Sequence, residues 1–193
     1  QLITRHVSGR LKVAPEHCAD KVLRIMRKPS WENYLKFRQL FLRINDEAGL
    51  KQQLIPYFIS SHPGCTKLEM QQLADETKKM RYRPEQVQDF TPTPMTLSTT
   101  MFYTGIDPMT GKSVYVPKDA KEKAMQRALL QFAKPENRRL IEEALRIADR
   151  TDLIGYGPRC LIRPWRENKN VSKNIKRQRS VSKNKNGAKR RGR

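Results

Sequence analysis

Apolar residues in the first hundred positions alternate between strand-like runs and helix-like spacing. The strand-like runs are short and lie at 9–15, 53–61 and 85–90. Between them, apolar residues recur at steps of three and four, which is typical of one buried helix face. The order strand, helix, strand, helix, strand predicts right-handed βαβ units, and therefore an α/β fold with a parallel sheet.

Capping residues help to place the helices between these strands. Ser30 is placed to begin the longest helix and Gly49 to end it. Thr66 and Glu69 have the spacing of a capping box at the start of the next helix. A shorter helix precedes both. The predicted buried positions are Val22, Ile25 and Met26, then Tyr34, Phe37, Phe41, Ile44 and Ala48, then Met70, Leu73, Ala74 and Thr77.

The pattern changes from Leu97 onward, where we predict a small, mostly helical extension over 97–164. Turn signals between short aromatic and β-branched runs predict a hairpin at 101–117. Two helices should follow, one with a capping-box pattern at its start and one with a proline in its first turn. Their capping and buried positions are Asp119, Glu122, Ala124, Met125, Ala128, Leu129, Phe132, Pro135, Ile141, Ala144, Leu145 and Ala148.

The chain carries a net charge of +21, and more than half of it lies at one end. Residues 163–193 contain 13 of the 40 lysines and arginines and one acidic residue. The segment 165–193 has few large apolar residues, so we predict a disordered basic tail. Such a tail would bind nucleic acid in a salt-sensitive way, or would simply be a solvated extension. No aromatic residue follows Trp165, so base stacking is not supported.

Composition narrows the setting in which the protein works. No apolar stretch is long enough to cross a bilayer and no signal peptide is present, so we expect a cytoplasmic protein with no membrane partner. Cys18, Cys65 and Cys160 show no spacing typical of a zinc or iron–sulfur site, and each is interpreted as a small buried residue. The chain opens on Gln1 and reads as structured sequence almost at once, which suggests a fragment.

Polar residues follow each predicted strand, at the edge of a parallel sheet where ligands bind. This clustering predicts a site for a polar ligand with several hydroxyl or amine groups. The alternative, that these residues cap the following helices, has equal support. The candidates are Lys12 and Glu16 toward the end of the first strand, Ser60, Ser61 and His62 at the end of the second, and Gln88 and Asp89 at the end of the third.

Five motifs resemble the C-terminal half of the YgiQ family of radical S-adenosylmethionine (SAM) proteins. They are "HVSGRLKVAPEH" (6–17), "PYFISSHPGCT" (56–66), "PEQVQDFTPTPMTLSTTMFYTG" (84–105), "KEKAMQRALLQF" (121–132) and "DLIGYGPRCLIRP" (152–164). The resemblance implies that 1–96 is the C-terminal half of a partial (β/α)6 barrel and that 97–164 is the family's C-terminal extension. The basic tail lies outside the resemblance.

The resemblance also implies a chemistry for the full-length protein. A 4Fe-4S cluster, held by a three-cysteine loop upstream of this chain and reduced by an electron donor, cleaves SAM to a 5′-deoxyadenosyl radical that attacks the substrate. Lys12 and Glu16 are then expected to hold the SAM ribose or methionyl end, with Ser60, Ser61 and His62 beside them. Gln88 and Asp89 would face the substrate. This chain alone should bind no cluster and no SAM, and should be inactive.

Two other functions remain open from the sequence. The chain would be a nucleic-acid-binding module if the basic tail recruits RNA, which is also compatible with a radical enzyme that acts on RNA. Alternatively, the chain would be a non-catalytic scaffold, in which 97–164 would serve mainly as an interaction element or a lid over the barrel mouth.

Overall fold

The computed structural model of the chain describes residues 1–84 and 87–164. It contains a parallel sheet with the strand order β1 (Arg10–Glu16), β2 (Gln53–Ser60), β3 (Gln88–Asp89). The predicted α/β class and the parallel strand order are therefore confirmed. Of the described residues in the predicted third strand over 85–90, Gln88 and Asp89 pair with β2, and 85–86 lie outside the described part of the chain.

The described part of the chain also contains six α-helices. They are α1 (Asp20–Ile25), α2 (Trp31–Glu47), α3 (Lys67–Lys79), α4 (Leu97–Thr104), α5 (Ala120–Leu130) and α6 (Arg138–Ile147). A π-helical turn covers Leu2–His6, and 3-10 turns cover Pro135–Asn137 and Thr151–Leu153. The predicted tail, 165–193, lies outside the described residues.

The predicted helix caps are present, with one change of partner. Thr66 and Glu69 form the reciprocal capping box at the start of α3. Gly49 follows the end of α2 with a φ of +62°, which favours glycine. Ser30 stands at the N-cap of α2, but its side chain makes no capping hydrogen bond. Asp20 provides that acceptor, because its Oδ1 receives the N–H of Trp31 at 3.0 Å.

The hairpin predicted at 101–117 is wrong in its first half, which forms helix α4. Thr96 caps α4 by accepting the N–H of Thr99 at 3.2 Å, and Gly105 ends it with a φ of +70°. These helix signals outweigh the β-propensity of the aromatic residues between them. The predicted turn does form, and Ile106 pairs with Ser113 across it in an antiparallel bridge.

The two faces of the sheet differ in polarity. Phe58 lies 2% exposed on the helix side, and its ring lies near those of Trp31 and Tyr82, with centroids 6.3 Å and 6.2 Å apart. Because side chains alternate along a strand, Arg10 and Lys12 share the opposite face with Tyr57. That face carries charged, polar and aromatic side chains together with Ile55, and it is open in the described part of the chain.

A single hydrophobic cluster joins the two segments predicted as 1–96 and 97–164. Helix α5 packs on α3 and on α6, so apolar residues from both sides of position 96 are buried against one another. The described core includes Val22, Phe58, Met70, Leu73, Met125, Leu129, Leu130, Ile141, Leu145 and Ile162. The position of α5 relative to β2 and β3 therefore depends on this shared core.

Candidate functional site

The carboxyl end of β1 carries an ion pair but does not include Lys12. Glu16 has a φ of +66°, and its carboxylate lies 3.3 Å from the Nζ atom of Lys28. Lys28 also donates to the carbonyl oxygen of Ala14 at 3.2 Å. Lys12 lies four residues earlier, with its ammonium group 5.8 Å from the centre of the Tyr57 ring. The structure thus separates the two predicted SAM-binding residues along the strand.

His17 follows Glu16 and is completely buried. Its Nδ1 accepts the backbone N–H groups of Cys18 and Ala19 at 3.0 Å and 2.9 Å, so the ring proton lies on Nε2. Nε2 is 3.5 Å from the Sγ atom of Cys65. Burial lowers the pKa of His17 to about 4, so the imidazole is neutral near pH 7.

The Cys65 thiol beside His17 is fully buried. Burial raises the pKa of Cys65 well above its usual value, and the nearby Glu69 carboxylate raises it further. A neutral imidazole next to a protonated thiol lacks the thiolate that a cysteine nucleophile needs. This pair therefore joins the loops after β1 and β2 without forming a catalytic dyad.

The ends of β2 and β3 are tied together through Asp89. The Ser60 hydroxyl donates to Oδ1 of Asp89, and Arg127 of α5 donates to Oδ2 at 2.7 Å. Ser60 is fully buried, whereas Asp89 is partly exposed. Gln88 is exposed and pairs with Ile59. The predicted residues of β2 and β3 do come together, with α5 in contact.

Ser61 is the least satisfied polar residue at this edge. It is fully buried with a φ of +62°, and its hydroxyl has no hydrogen-bond partner among the described residues. Its backbone N–H donates to Oε1 of Gln126 at 3.0 Å. The Nε2 group of Gln126 donates to the carbonyl oxygen of Cys65, also at 3.0 Å. A buried hydroxyl without a partner is a position at which a ligand or a water molecule would gain a hydrogen bond.

His62 connects the end of β2 to helix α4. Its Nδ1 is 2.7 Å from the Pro63 carbonyl oxygen, which can only accept, so Nδ1 carries the proton. Its Nε2 therefore accepts from the Ser98 hydroxyl at 2.7 Å. The ring lies edge-on to Phe90, with centroids 5.0 Å apart. Burial lowers the pKa of His62 to about 4, so His62 is a neutral structural link near pH 7.

The contribution of α5 to this edge was not predicted from the sequence. Gln126 contacts Ser61, just after β2 and 65 positions earlier, and Arg127 contacts Asp89 of β3, 38 positions earlier. The only sequence signal was a glutamine beside the apolar positions Met125 and Ala128, and spacing alone does not show where such a side chain points. The site residues thus come from both predicted segments.

The described residues do not provide a metal site. Within 1–84 and 87–164, no three His, Cys, Asp or Glu side chains converge in a way that could hold a metal ion. Cys18 is buried, and Cys160 lies in a separate loop, where its backbone carbonyl oxygen accepts a hydrogen bond from Lys78. In the same part of the chain, no helix has the length and apolar character to cross a membrane.

Comparison with known proteins identifies relatives for both segments. The family of the Domain of unknown function DUF3362 matches residues 85–193. A UPF0313 protein of Clostridium perfringens strain 13 is 56% identical over 163 residues, which are 84% of this chain and 25% of that protein. A UPF0313 protein of Methanocella arvoryzae is 57% identical over 162 residues, which are 84% of this chain and 27% of that protein.

The chain therefore spans about a quarter of the length of these relatives. The match covers most of the chain, and it confirms the resemblance seen in the five sequence motifs. This chain belongs to the family of the DUF3362 domain, and its close homologues are UPF0313 proteins, which are the YgiQ family.

Proposed function

We propose that this chain is the C-terminal part of a cytoplasmic radical SAM enzyme. Its three strands would be the last three of a partial (β/α)6 barrel, and α4 to α6 would belong to an extension packed against it. In the full-length protein, a 4Fe-4S cluster reduced by an electron donor would cleave SAM and generate a 5′-deoxyadenosyl radical. The substrate of that radical is not identified by the fold.

One observation carries this proposal beyond the family match. The helices α2 and α3 cover one face of the sheet, while the other face carries Arg10, Lys12 and Tyr57. A parallel sheet that is packed on both faces has apolar strands. A polar second face instead fits the interior of a barrel that holds a ligand.

The residues of this chain do not fit an iron–sulfur cluster. Cys65 is buried against His17, and no convergent set of three ligands exists among the described residues. A cluster that leaves one iron open for SAM needs three cysteine thiolates, which the buried thiols here do not supply. We therefore propose that the cluster ligands lie in the part of the full-length protein outside this chain.

The polar groups at the strand ends fit SAM better than they fit the cluster. Glu16 keeps a partly exposed carboxylate beside Lys28, and Lys12 extends from the open face. Glu16 would bind a polar group of SAM, with the unpaired Ser61 hydroxyl as a further hydrogen-bonding group. Lys12, four residues earlier on β1, would face the substrate instead. Ser60 and His62 would act by fixing the loop, since both are buried and already hydrogen-bonded. Gln88 and Asp89 would face the substrate.

The test is SAM cleavage by the full-length protein, purified and reduced without oxygen, with 5′-deoxyadenosine measured as the product. Replacing Glu16 by Gln should weaken SAM binding about tenfold, the effect of losing one charged hydrogen bond. Glu32→Gln is the matched control, because Glu32 is an exposed carboxylate that pairs with Lys36 on α2. If reduced protein with its cluster forms no 5′-deoxyadenosine, the proposed chemistry is wrong. Equal SAM affinity in both variants would remove Glu16 from the site.

A second candidate function rests on the charge of the C-terminal end. The 13 lysines and arginines of 163–193 would neutralise several phosphates of an RNA and give affinity that falls steeply with salt. This function is compatible with the first one if the radical acts on RNA. Removing the residues after Pro164 should abolish RNA binding without affecting SAM binding. An absence of RNA binding before the truncation would rule this function out.

A further inference from the structure

The open face of the sheet contains a cavity of about 350 Å³, and none of the candidate residues at the carboxyl ends of the strands lines it. Its polar and aromatic lining comes from Arg10, Lys12, Gln53, Tyr57, Tyr82 and Arg83. Arg10 pairs with Gln53 and Lys12 pairs with Ile55 in the parallel register. Arg10 and Lys12 are two residues apart on β1, so their side chains lie on the same face of the sheet. Arg83 reaches the same cavity from the segment before β3.

The three cations of this cavity lack acidic partners among residues 1–84 and 87–164. No carboxylate in that part of the chain forms an ion pair with Arg10, Lys12 or Arg83. The ammonium group of Lys12 lies over the ring of Tyr57. Grouped cations repel one another, and this repulsion is relieved when an anion binds between them.

The chemistry of the lining indicates the class of anion. Two guanidinium groups and one ammonium group offer donors that match the several oxygens of a phosphate group. Tyr57 adds an aromatic surface for the uncharged part of the same molecule. A cavity of 350 Å³ has the volume of a small-molecule site and is too small for a protein or a duplex.

We propose that this cavity binds the phosphate groups of a small phosphorylated molecule, which is the substrate of the full-length enzyme. The statement that the bound molecule is the substrate rests on the proposed function. The binding of phosphate groups in this cavity does not require SAM cleavage. Arg10 and Lys12 lie in the amino-terminal half of β1, and Lys12 is four residues, about 13 Å, from Glu16. The phosphate would therefore anchor the substrate near the amino-terminal half of β1. The rest of the substrate would extend toward the carboxyl ends of the strands.

The test is a titration of the full-length protein with inorganic pyrophosphate in the absence of SAM, with the heat of binding measured by isothermal titration calorimetry. We expect saturable binding that weakens as ionic strength rises. Arg10→Gln and Arg83→Gln, made separately, should each weaken it about tenfold or more. Because these residues lie on different segments, a folding defect in one variant leaves the other informative. Arg24→Gln is the matched control, since Arg24 is an exposed arginine of α1 outside the cavity.

Either of two results would overturn the proposal. One is that the intact protein shows no saturable pyrophosphate binding. The other is that Arg10→Gln and Arg83→Gln bind pyrophosphate as the intact protein does. Loss of pyrophosphate binding in these variants would support the anion site even if the full-length protein never cleaved SAM. Failure of the anion site and failure of the radical chemistry are therefore distinguishable.

Discussion

The side chain of Gln126 bridges the N–H of Ser61 and the carbonyl oxygen of Cys65 across 65 and 61 positions of sequence. This fully buried glutamine satisfies two backbone groups in the loop between β2 and α3. An amide group can donate and accept at once, which leucine of similar size cannot do. Gln126 thus fixes the loop that carries two of the candidate site residues, Ser61 and His62.

Gln126→Leu should therefore loosen that loop. The substitution leaves a buried N–H and a buried C=O unpaired, which costs about 1–3 kcal/mol for each group. Hydrogen–deuterium exchange of the full-length protein should show faster exchange over 61–66, while α6 changes little. Gln72→Leu is the matched control, because Gln72 is an exposed glutamine of α3. Unchanged exchange in the Gln126 variant would show that the bridge does not hold the loop.

Gly64→Ala should lower the melting temperature for two separable reasons. Gly64 has a φ of +86°, and an added Cβ would lie 2.3 Å from Cδ1 of Ile25. Gly111 has a similar φ of +66° but open space around it, so Gly111→Ala reports the backbone strain alone, about 1 kcal/mol. The Gly64 variant should be destabilised more, and Ile25→Val, which removes Cδ1, should partly rescue it. Equal destabilisation at both glycines would disprove the steric contact.

Stability should fall as the pH is lowered from about 6.5 to about 4. His17 and His62 have an ordinary pKa of 6.5 and a folded-state pKa of about 4, because burial disfavours the charged ring. The unfolded chain therefore binds more protons in this window, and each histidine contributes up to about 3 kcal/mol that is lost on acidification. Calorimetric melting temperatures at pH 7 and pH 5 measure the loss.

A variant comparison assigns this pH dependence. His62→Gln should melt at a lower temperature at pH 7, but its melting temperature should change less between pH 7 and pH 5. His6→Gln is the control, because His6 is exposed. If the His62 variant keeps the full pH dependence, then protonation of His62 is not its source.

The three cysteines should react at different rates in the native protein. Burial raises the pKa of Cys18 to about 12 and that of Cys65 well above its usual value, whereas Cys160 is partly exposed. Because the thiolate is the reactive form, iodoacetamide at pH 8 should label Cys160 first. Peptide mass spectrometry reads each site, and labelling in urea provides the control for intrinsic reactivity. Cys65 labelling as fast as that of Cys160 would contradict a buried, structural thiol.

The sequence predicted the sheet well because its elements are defined by local signals. Alternating runs, the Thr66 cap and Gly49 indicate β1, β2, α2 and α3 without knowledge of distant contacts. The predicted meeting of Ser60 with Asp89 follows from the same logic, since adjacent parallel strands end at one edge. Local signals also conflicted once, at α4, where the caps Thr96 and Gly105 outweighed a run of aromatic and β-branched residues.

The remainder of the site depends on contacts between residues far apart in the chain. Arg27 places one guanidinium nitrogen 2.9 Å and 2.7 Å from the two carboxylate oxygens of Asp107, 80 positions later. Gln126 and Arg127 reach the strand ends only because α5 packs on α3. The spacing of apolar residues along the chain does not indicate which distant residues contact one another. Lys12 lies inside both the predicted strand 9–15 and the observed β1, so the sequence pattern already placed it four residues before Glu16.

The packing of α5 and α6 onto α3 has a consequence for synthesis on the ribosome. Proteins emerge from the amino terminus, at roughly 5–20 residues per second. Met70 and Leu73 leave the exit tunnel well before Met125 and Leu129, the residues that cover them, have been added. For several seconds the nascent chain exposes an apolar surface with no partner, which is the kind of segment that holding chaperones bind. The DUF3362 domain is thus the segment whose arrival ends that exposure.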